Sequence, residues 1–405
     1  VSLWILRRNT RLCLVFRFLL AMFFGMPFMV VYYKSHGLSQ VDVNAIQSII
    51  AIVGLITVIP GGYLADRIGA RRMLLGGTTL IALSALVFAF CDALWEFELV
   101  SVVSSFGWWS IDGVTSSLVA ANVKIATTSG ICTRQWYERY ESHTTQVSAA
   151  GVLVGIGFGW IIEVWGGMSL VFALQPIIYV GALGVAWRLV ESKSMAAAEA
   201  RQYVSPLVMV RIAKAMLWES PAIRWLVAIS AVLHVSTLGA FWLFQPKMAH
   251  EGIPLGLFGA VYAGRALGSL LFARLGEKRM LEAGTIGGLT MMVLVFSTSV
   301  LFAALVGGWP GVAALFIGSS FMGAFALQVE RVALNKLLSD SVTNRTCELS
   351  VSTMVQALAF ACLSPFIGMA AEAYSVDIAL FLLAAGCLVG ARISLTLLRR
   401  VCLGV

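Results

Sequence analysis

The chain has 405 residues, 60% of them hydrophobic and only 12% charged, with a mean hydropathy of +0.90. A soluble globular chain is nearer half apolar and a quarter charged, so this composition excludes a water-soluble fold and indicates a polytopic membrane protein. The net charge of +8 would suit nucleic acid, but the placement of the charges, taken up below, excludes that partner.

A spanning helix needs roughly 20 apolar residues. In chain order, segments of this kind lie at about 12–33, 44–64, 73–91, 97–119, 146–165 and 168–188, and six more at about 224–245, 254–273, 283–305, 310–330, 350–371 and 377–397. They are too long for barrel strands and do not alternate at period two. The expectation is an all-α polytopic membrane protein of twelve transmembrane helices. The first run is too long for a signal-peptide core and lacks a small-residue cleavage site, so no cleavable leader is expected. The chain begins with Val1 instead of Met, which leaves its start open.

Between the sixth and seventh segments lies one long polar stretch. The organisation expected is a six-helix bundle over 1–190, a cytoplasmic linker over 191–222 and a second six-helix bundle over 223–405. Within the linker, residues 207–218 are amphipathic and suit the membrane surface. With the N-terminus in the cytoplasm, every Lys and Arg except Lys34, Lys247 and Arg265 falls on the inner side. Both termini are then cytoplasmic, and the positive excess faces the anionic inner leaflet, which makes membrane lipid, not nucleic acid, the partner of these charges.

The seven cysteines and four histidines are dispersed, with no C-x-x-C pair. No phosphate-binding loop, metal-ligand set or nucleophile–base arrangement is evident. No cofactor, metal or enzymatic activity is expected.

Residues 62–72 read Gly-Tyr-Leu-Ala-Asp-Arg-Ile-Gly-Ala-Arg-Arg, a charged hinge between two apolar runs. Gly62 permits close helix approach and Gly69 a sharp turn. Asp66, Arg67, Arg71 and Arg72 stand where one run leaves the bilayer and the next enters. This G-x-x-x-D-R-x-G-x-R-R pattern resembles the loop between helices 2 and 3 of the major facilitator superfamily of secondary transporters, bacterial type. The six–linker–six layout carries the same resemblance. So do Ile59-Pro60-Gly61-Gly62, Phe244-Gln245-Pro246, and Arg345-Thr346-Cys347-Glu348-Leu349-Ser350. The resemblance implies two six-helix pseudo-repeats around a central cavity, in the inner membrane of a bacterium. It also implies that Asp66 acts as an inner latch towards helix 11, where Arg345 or backbone amides are candidate partners.

The halves align with gaps: Asp66-Arg67-Ile68-Gly69 with Ala273-Arg274-Leu275-Gly276, and the segment from Gly159 with that from Gly368. The fifth segment carries Gly151, Gly155, Gly157 and Gly159 but not the G-P-x-x-G-G of drug antiporters. The fourth has Asp112 where many proton-coupled members carry arginine.

Arg265 lies deep in its segment, where even lenient scales charge about 2.5–3.5 kcal/mol, so it should face a cavity or a partner such as Asp112. A forked guanidinium suits a carboxylate or phosphate on a solute. Asp112 and His234 are candidate proton carriers. Tyr262, Gln245, Trp108 and Trp109, with His234, are candidate pathway residues, and Gln175, Gln328 and Gln356 could add hydrogen bonds. Glu163 and Glu372 read as solvated outer helix ends.

These residues point to secondary active transport of a small organic solute, favouring an anionic one, by a monomer operating through alternating access and coupled to protons. Three alternatives stay open: export of a drug or amphipathic metabolite, a transport-inactive membrane sensor or scaffold, and a membrane-embedded enzyme, for which the sequence offers no catalytic set.

Overall fold

The computed structural model describes residues 3–128, 135–190, 214, 217–337 and 342–403. For 58–66, 124, 128, 135, 138, 277–281, 285, 326–328, 330–337, 342–350, 402 and 403 the description is of the backbone alone. Before the linker the chain forms α1 (Leu3–Ala21), α2 (Met29–Ser35), α3 (Gln40–Ile68), α4 (Ala70–Phe88), α5 (Leu94–Ile111), α6 (Val114–Thr128) and α7 (Gln135–Trp187). After it come α8 (Pro221–His250), α9 (Phe258–Leu305), α10 (Gly308–Leu337), α11 (Val342–Ala373) and α12 (Val376–Leu403). No strand occurs among the described residues. The amphipathic linker segment lies almost wholly outside them.

Nine described helical stretches are long and apolar enough to cross a membrane. One of these, Arg139–Trp187, holds 49 residues and bends at Gly167, where φ is 76°. It therefore contains both the fifth and the sixth expected segments. α9 bends likewise at Gly284, φ 66°. α1, with its four arginines, and α5, which stops at Ile111, are not among the nine.

Two boundaries differ from the sequence reading, and one aligned glycine does not repeat its turn. The first segment does not run to 33; α1 ends at Ala21, and the turn that follows contains Gly25 and Pro27. Proline biases the residue before it away from helix, and a Cβ on Gly25 would lie 2.2 Å from the Phe172 ring. The fourth segment breaks after Ile111, because Asp112 is extended and Gly113 has φ 74°. In the second half the left-handed glycine is Gly284, not Gly276. Gly276 instead receives Phe325 so closely that a Cβ would lie 2.5 Å from the ring.

The chain packs as two compact units, Val1–Met29 with Val53–Tyr203, and Val30–Ile52 with Val204–Val405. In the first unit α1 buries Leu6, Asn9, Cys13, Phe16 and Leu20, a three-four spacing that puts one face inward. These residues pack in a cluster with Met73, Leu74 and Ile81 of α4, Leu118 and Val119 of α6, and Tyr179 and Ala182 of α7. α7 meets α1 and the turn after it through a glycine stripe. A Cβ on Gly151 would lie 2.5 Å from the Phe18 carbonyl oxygen, one on Gly155 2.8 Å from the Phe23 nitrogen, and one on Gly159 2.2 Å from the Phe24 carbonyl oxygen. Small residues four apart are what close helix approach requires where no hydrophobic force separates protein from lipid. Gly157 points elsewhere and touches nothing within 4 Å.

Polar side chains inside each unit are tied to backbone. Gln175 accepts from the Phe24 amide at 2.7 Å and donates to the Met22 carbonyl at 3.0 Å, fixing the turn after α1. Gln245 accepts from the Val30 amide at 2.8 Å, fixing the start of α2. Asn44 donates to the Ser364 carbonyl at 2.9 Å, where Gly368 lets α11 approach α3. Glu372, exposed as expected, also accepts from the Gln40 amide at 2.9 Å and so caps α3. Glu163 is half-buried, and its Oε2 has no partner among the described residues.

Lys247, expected at an outer surface, is buried. Its Nζ donates to Glu251 at 2.5 Å and to Asp377 at 2.6 Å. These carboxylates also lie near His250 in a group that could hold a cation, and the Lys247 ammonium already bridges the two carboxylates.

Two expectations follow. Gly155→Ala should lower the melting temperature of the solubilised protein, by the ~1–3 kcal/mol typical of overpacking, while Gly157→Ala should leave it unchanged or raised; equal effects would contradict the stripe. The bond from Lys247, then that from the Gly308 amide, holds the Glu251 carboxyl below the usual range. A depressed folded-state pKa contributes stability that is complete above the ordinary carboxylate range and is lost as pH falls through the lowered value. Glu251→Gln should therefore flatten the acid limb of a melting-temperature profile, and an unaltered limb would contradict the assignment.

Candidate functional site

On α8, Ser230, His234, Thr237 and Phe241 recur at four- and three-residue steps and so share one face. This face lines a cavity of about 220 Å³ in the second unit. Arg265 of α9, Leu289 and Met292 beyond the bend, Ser319, Met322 and Gly323 of α10, and Gln356 of α11 also line it.

Among the described residues of this lining, Arg265 carries the one guanidinium. Its Cζ lies 5.4 Å from the Phe241 ring centroid and 6.0 Å from that of Tyr262. Its backbone is fixed as well: the hydroxyls of Ser269 and Ser320 each donate to the Arg265 carbonyl at 3.1 Å. Gly323 leaves room for the first of these serines, since a Cβ there would lie 2.7 Å from Ser269 Oγ. The buried Nε has no hydrogen-bond partner, and no carboxylate pairs with the guanidinium among the described residues. Ser230 Oγ and Thr237 Oγ1, in the same lining, are also buried without partners. A polar atom left unsatisfied away from water costs roughly 1–3 kcal/mol, and more when charged. Arginine held by aromatic rings, facing a cavity beside two buried hydroxyls, presents a donor set whose chemistry suits an anionic group.

The sequence-derived candidates separate into three groups. Arg265 and His234 line the cavity together, and the His234 ring stands edge-on to Phe360 at 6.3 Å. Tyr262 and Gln245 sit behind it: Gln245 Nε2 donates to the Tyr262 hydroxyl at 3.2 Å, and both residues are buried. Asp112, Trp108 and Trp109 belong to the first unit. Asp112 is an exposed cap on α5, with its carboxylate 3.8 Å from Arg17, whose Nε donates to Thr115 at 2.9 Å. Trp108 packs edge-on against Tyr179 at 6.1 Å, and Trp109 fills the space beside Gly54.

Of the hinge, Gly69 has φ 96° and separates α3 from α4, while Arg67 and Arg72 are exposed. Arg71 donates to the Trp187 carbonyl at 2.6 Å and lies over the Trp187 ring at 5.6 Å. A cation at a helix C-terminus offsets the partial negative charge there. Arg8 does the same at the Arg188 carbonyl, and Asn9 bonds both backbone groups of Val190. The side chains of Gly62, Asp66 and Arg345, and with them the proposed latch, lie outside the described residues, as does that of Gln328.

The sequence reading did not single out Ser230, Thr237, Phe241 and Gly323. The α8 stripe was legible once His234 was taken with its neighbours at helical spacing, whereas the contribution of Gly323 depends on tertiary contact.

Solved structures resemble this arrangement over nearly the whole chain. A point mutant of the nucleoside transporter NupG matches with a TM-score of 0.78 at 14% identity, covering 96% of this chain and 99% of the other. The chain has the major facilitator fold. A D-xylose–proton symporter matches with a TM-score of 0.70 at 16% identity, covering 96% of each chain. A bacterial homologue of the human lysosomal transporter Spinster matches with a TM-score of 0.70 at 13% identity, covering 99% of this chain and 94% of the other. No family model and no curated protein matches the sequence. In this major facilitator fold the arginine-bearing cavity lies wholly within the C-terminal unit.

Proposed function

We propose that the protein is a secondary active transporter of a small amphipathic organic anion. The observation that carries this is the Arg265 guanidinium, its Nε buried and no carboxylate partner among the described residues, facing a cavity whose remaining walls are largely apolar. A volume of about 220 Å³ lies below the ~300–1,000 Å³ of ordinary ligand pockets, which favours a small solute. The transporters with the same fold support transport over catalysis, and the symporter among them supports protons as the driving ion.

The solute's anionic group bonds the Arg265 fork, and its body packs on Leu233, Leu289, Met292 and Met322. Ser230 and Thr237 orient it. His234 carries the coupling proton, because it shares the cavity with Arg265 while Asp112 is held by Arg17 in the other unit. Transport proceeds by alternating access, with the 62–72 hinge and Arg345 biasing the inner gate. Both termini lie in the cytoplasm of a bacterium whose inner membrane the chain spans, as the distribution of its basic residues favours.

Proteoliposome flux under an imposed pH gradient tests the reading. Small organic carboxylates should be carried by the native protein and at least tenfold more slowly by Arg265→Gln, with Arg265→Lys intermediate, since a lost charge-assisted bond costs ~1.5–3 kcal/mol. Equal flux of anionic and neutral solutes through native and Arg265→Gln protein would overturn it.

A further inference from the structure

The first unit carries a second cavity, of about 290 Å³, in the cleft between α1 and α7. Arg7, Thr10, Arg11 and Leu14 line it from α1, and Trp136, Arg139, Tyr140 and His143 from α7. Both sets recur at three- and four-residue steps, so one face of each helix looks into the cleft. Among the described residues, its lining contains three guanidiniums and an imidazole but no carboxylate.

Three other arginines of this unit are used. Arg8 and Arg71 bond carbonyls at the C-terminal end of α7, and Arg17 bonds Thr115 and faces Asp112. Arg7, Arg11 and Arg139 are exposed and have no ion pair or hydrogen bond among the described residues. Like charges four apart on a helix repel, and the Arg7–Arg11 pair faces Arg139 across the cleft instead of separating from it. The walls are held at this spacing: the Trp136 indole donates to Thr10 Oγ1 at 3.3 Å. Below the charged rim lies Leu14.

We infer that this cleft is a binding site for the headgroup of an anionic phospholipid of the inner leaflet. The phosphate sits between Arg7, Arg11 and Arg139, Trp136 lies at interfacial depth, and the acyl chains leave along Leu14. Basic pockets between helices on the cytoplasmic side suit such headgroups, and the apolar floor suits a lipid better than a free phosphate. The assignment rests on the orientation given under the proposed function, but not on transport or on Arg265.

Native mass spectrometry of the full chain, exchanged into mixed phosphatidylglycerol and phosphatidylcholine, tests it without a flux assay. The native protein should retain phosphatidylglycerol preferentially. Arg7→Gln and Arg139→Gln, on different helices and exposed, should each weaken retention about fivefold, and the double variant roughly twenty-five-fold. Arg400→Gln, exposed on α12, serves as the control and should retain the lipid as the native chain does. Equal retention of the two lipids, or variants that retain as much as the native chain while melting normally, would overturn the site. Displacement of the lipid by millimolar inorganic phosphate would overturn the lipid in favour of a soluble anion.

Discussion

Among the described residues, the Arg265 guanidinium faces a cavity without a carboxylate partner, whereas several other polar side chains inside the helices are tied to backbone or to counter-ions. Hydrocarbon offers no hydrogen bonds, so each polar group at depth must find its partner in the protein. Gln175, Gln245, Asn44 and Asn9 do so by bonding backbone groups at turns and helix ends. Lys247 does so with two carboxylates, and Arg17 with Thr115 and Asp112. Arg265 does not, and neither do Ser230 and Thr237 beside it. Other buried polar atoms lack partners singly, both amide atoms of Asn122 among them, but these three share one cavity.

The packing around Arg265 makes that cavity durable. Ser269 and Ser320 hold the Arg265 carbonyl, Phe241 and Tyr262 flank the head group, and Gly323 leaves space for Ser269. Tyr262 is itself bonded to Gln245, whose oxygen fixes the start of α2. The site is thus supported by a second layer that also organises the unit's fold, which is how a buried charge is kept aimed in one direction. The cleft between α1 and α7 obeys the same electrostatics at the surface, where unpaired arginines can be neutralised by anions outside the protein.

Much of this was legible in the sequence. Helix-forming runs were found by length and hydropathy alone, and Gly69 marked a turn by residue type. Arg265 was conspicuous because a charge at that depth needs a reason. The boundaries that failed did so through local chemistry: Gly25 and Pro27 end α1 early, and Gly113 breaks the fourth segment. Gly276, aligned with Gly69 in the sequence, does not repeat its turn; it seats Phe325, and the left-handed glycine is Gly284. Which polar groups are satisfied could not be read along the chain, since Gln245 and Gln175 look like pathway residues until their backbone partners, more than 150 positions away, are known. The low periodicity of the helices has the same root, because faces towards lipid and faces towards protein are both apolar.

The central claim is that the charge on Arg265 is reserved for a solute. A structure of the protein bound to a small organic carboxylate tests it most directly. The account expects the carboxylate within hydrogen-bond distance of the Arg265 guanidinium, with the body of the solute against Phe241 and Met322. A solute bound elsewhere, with Arg265 paired to a carboxylate of the protein, would contradict it.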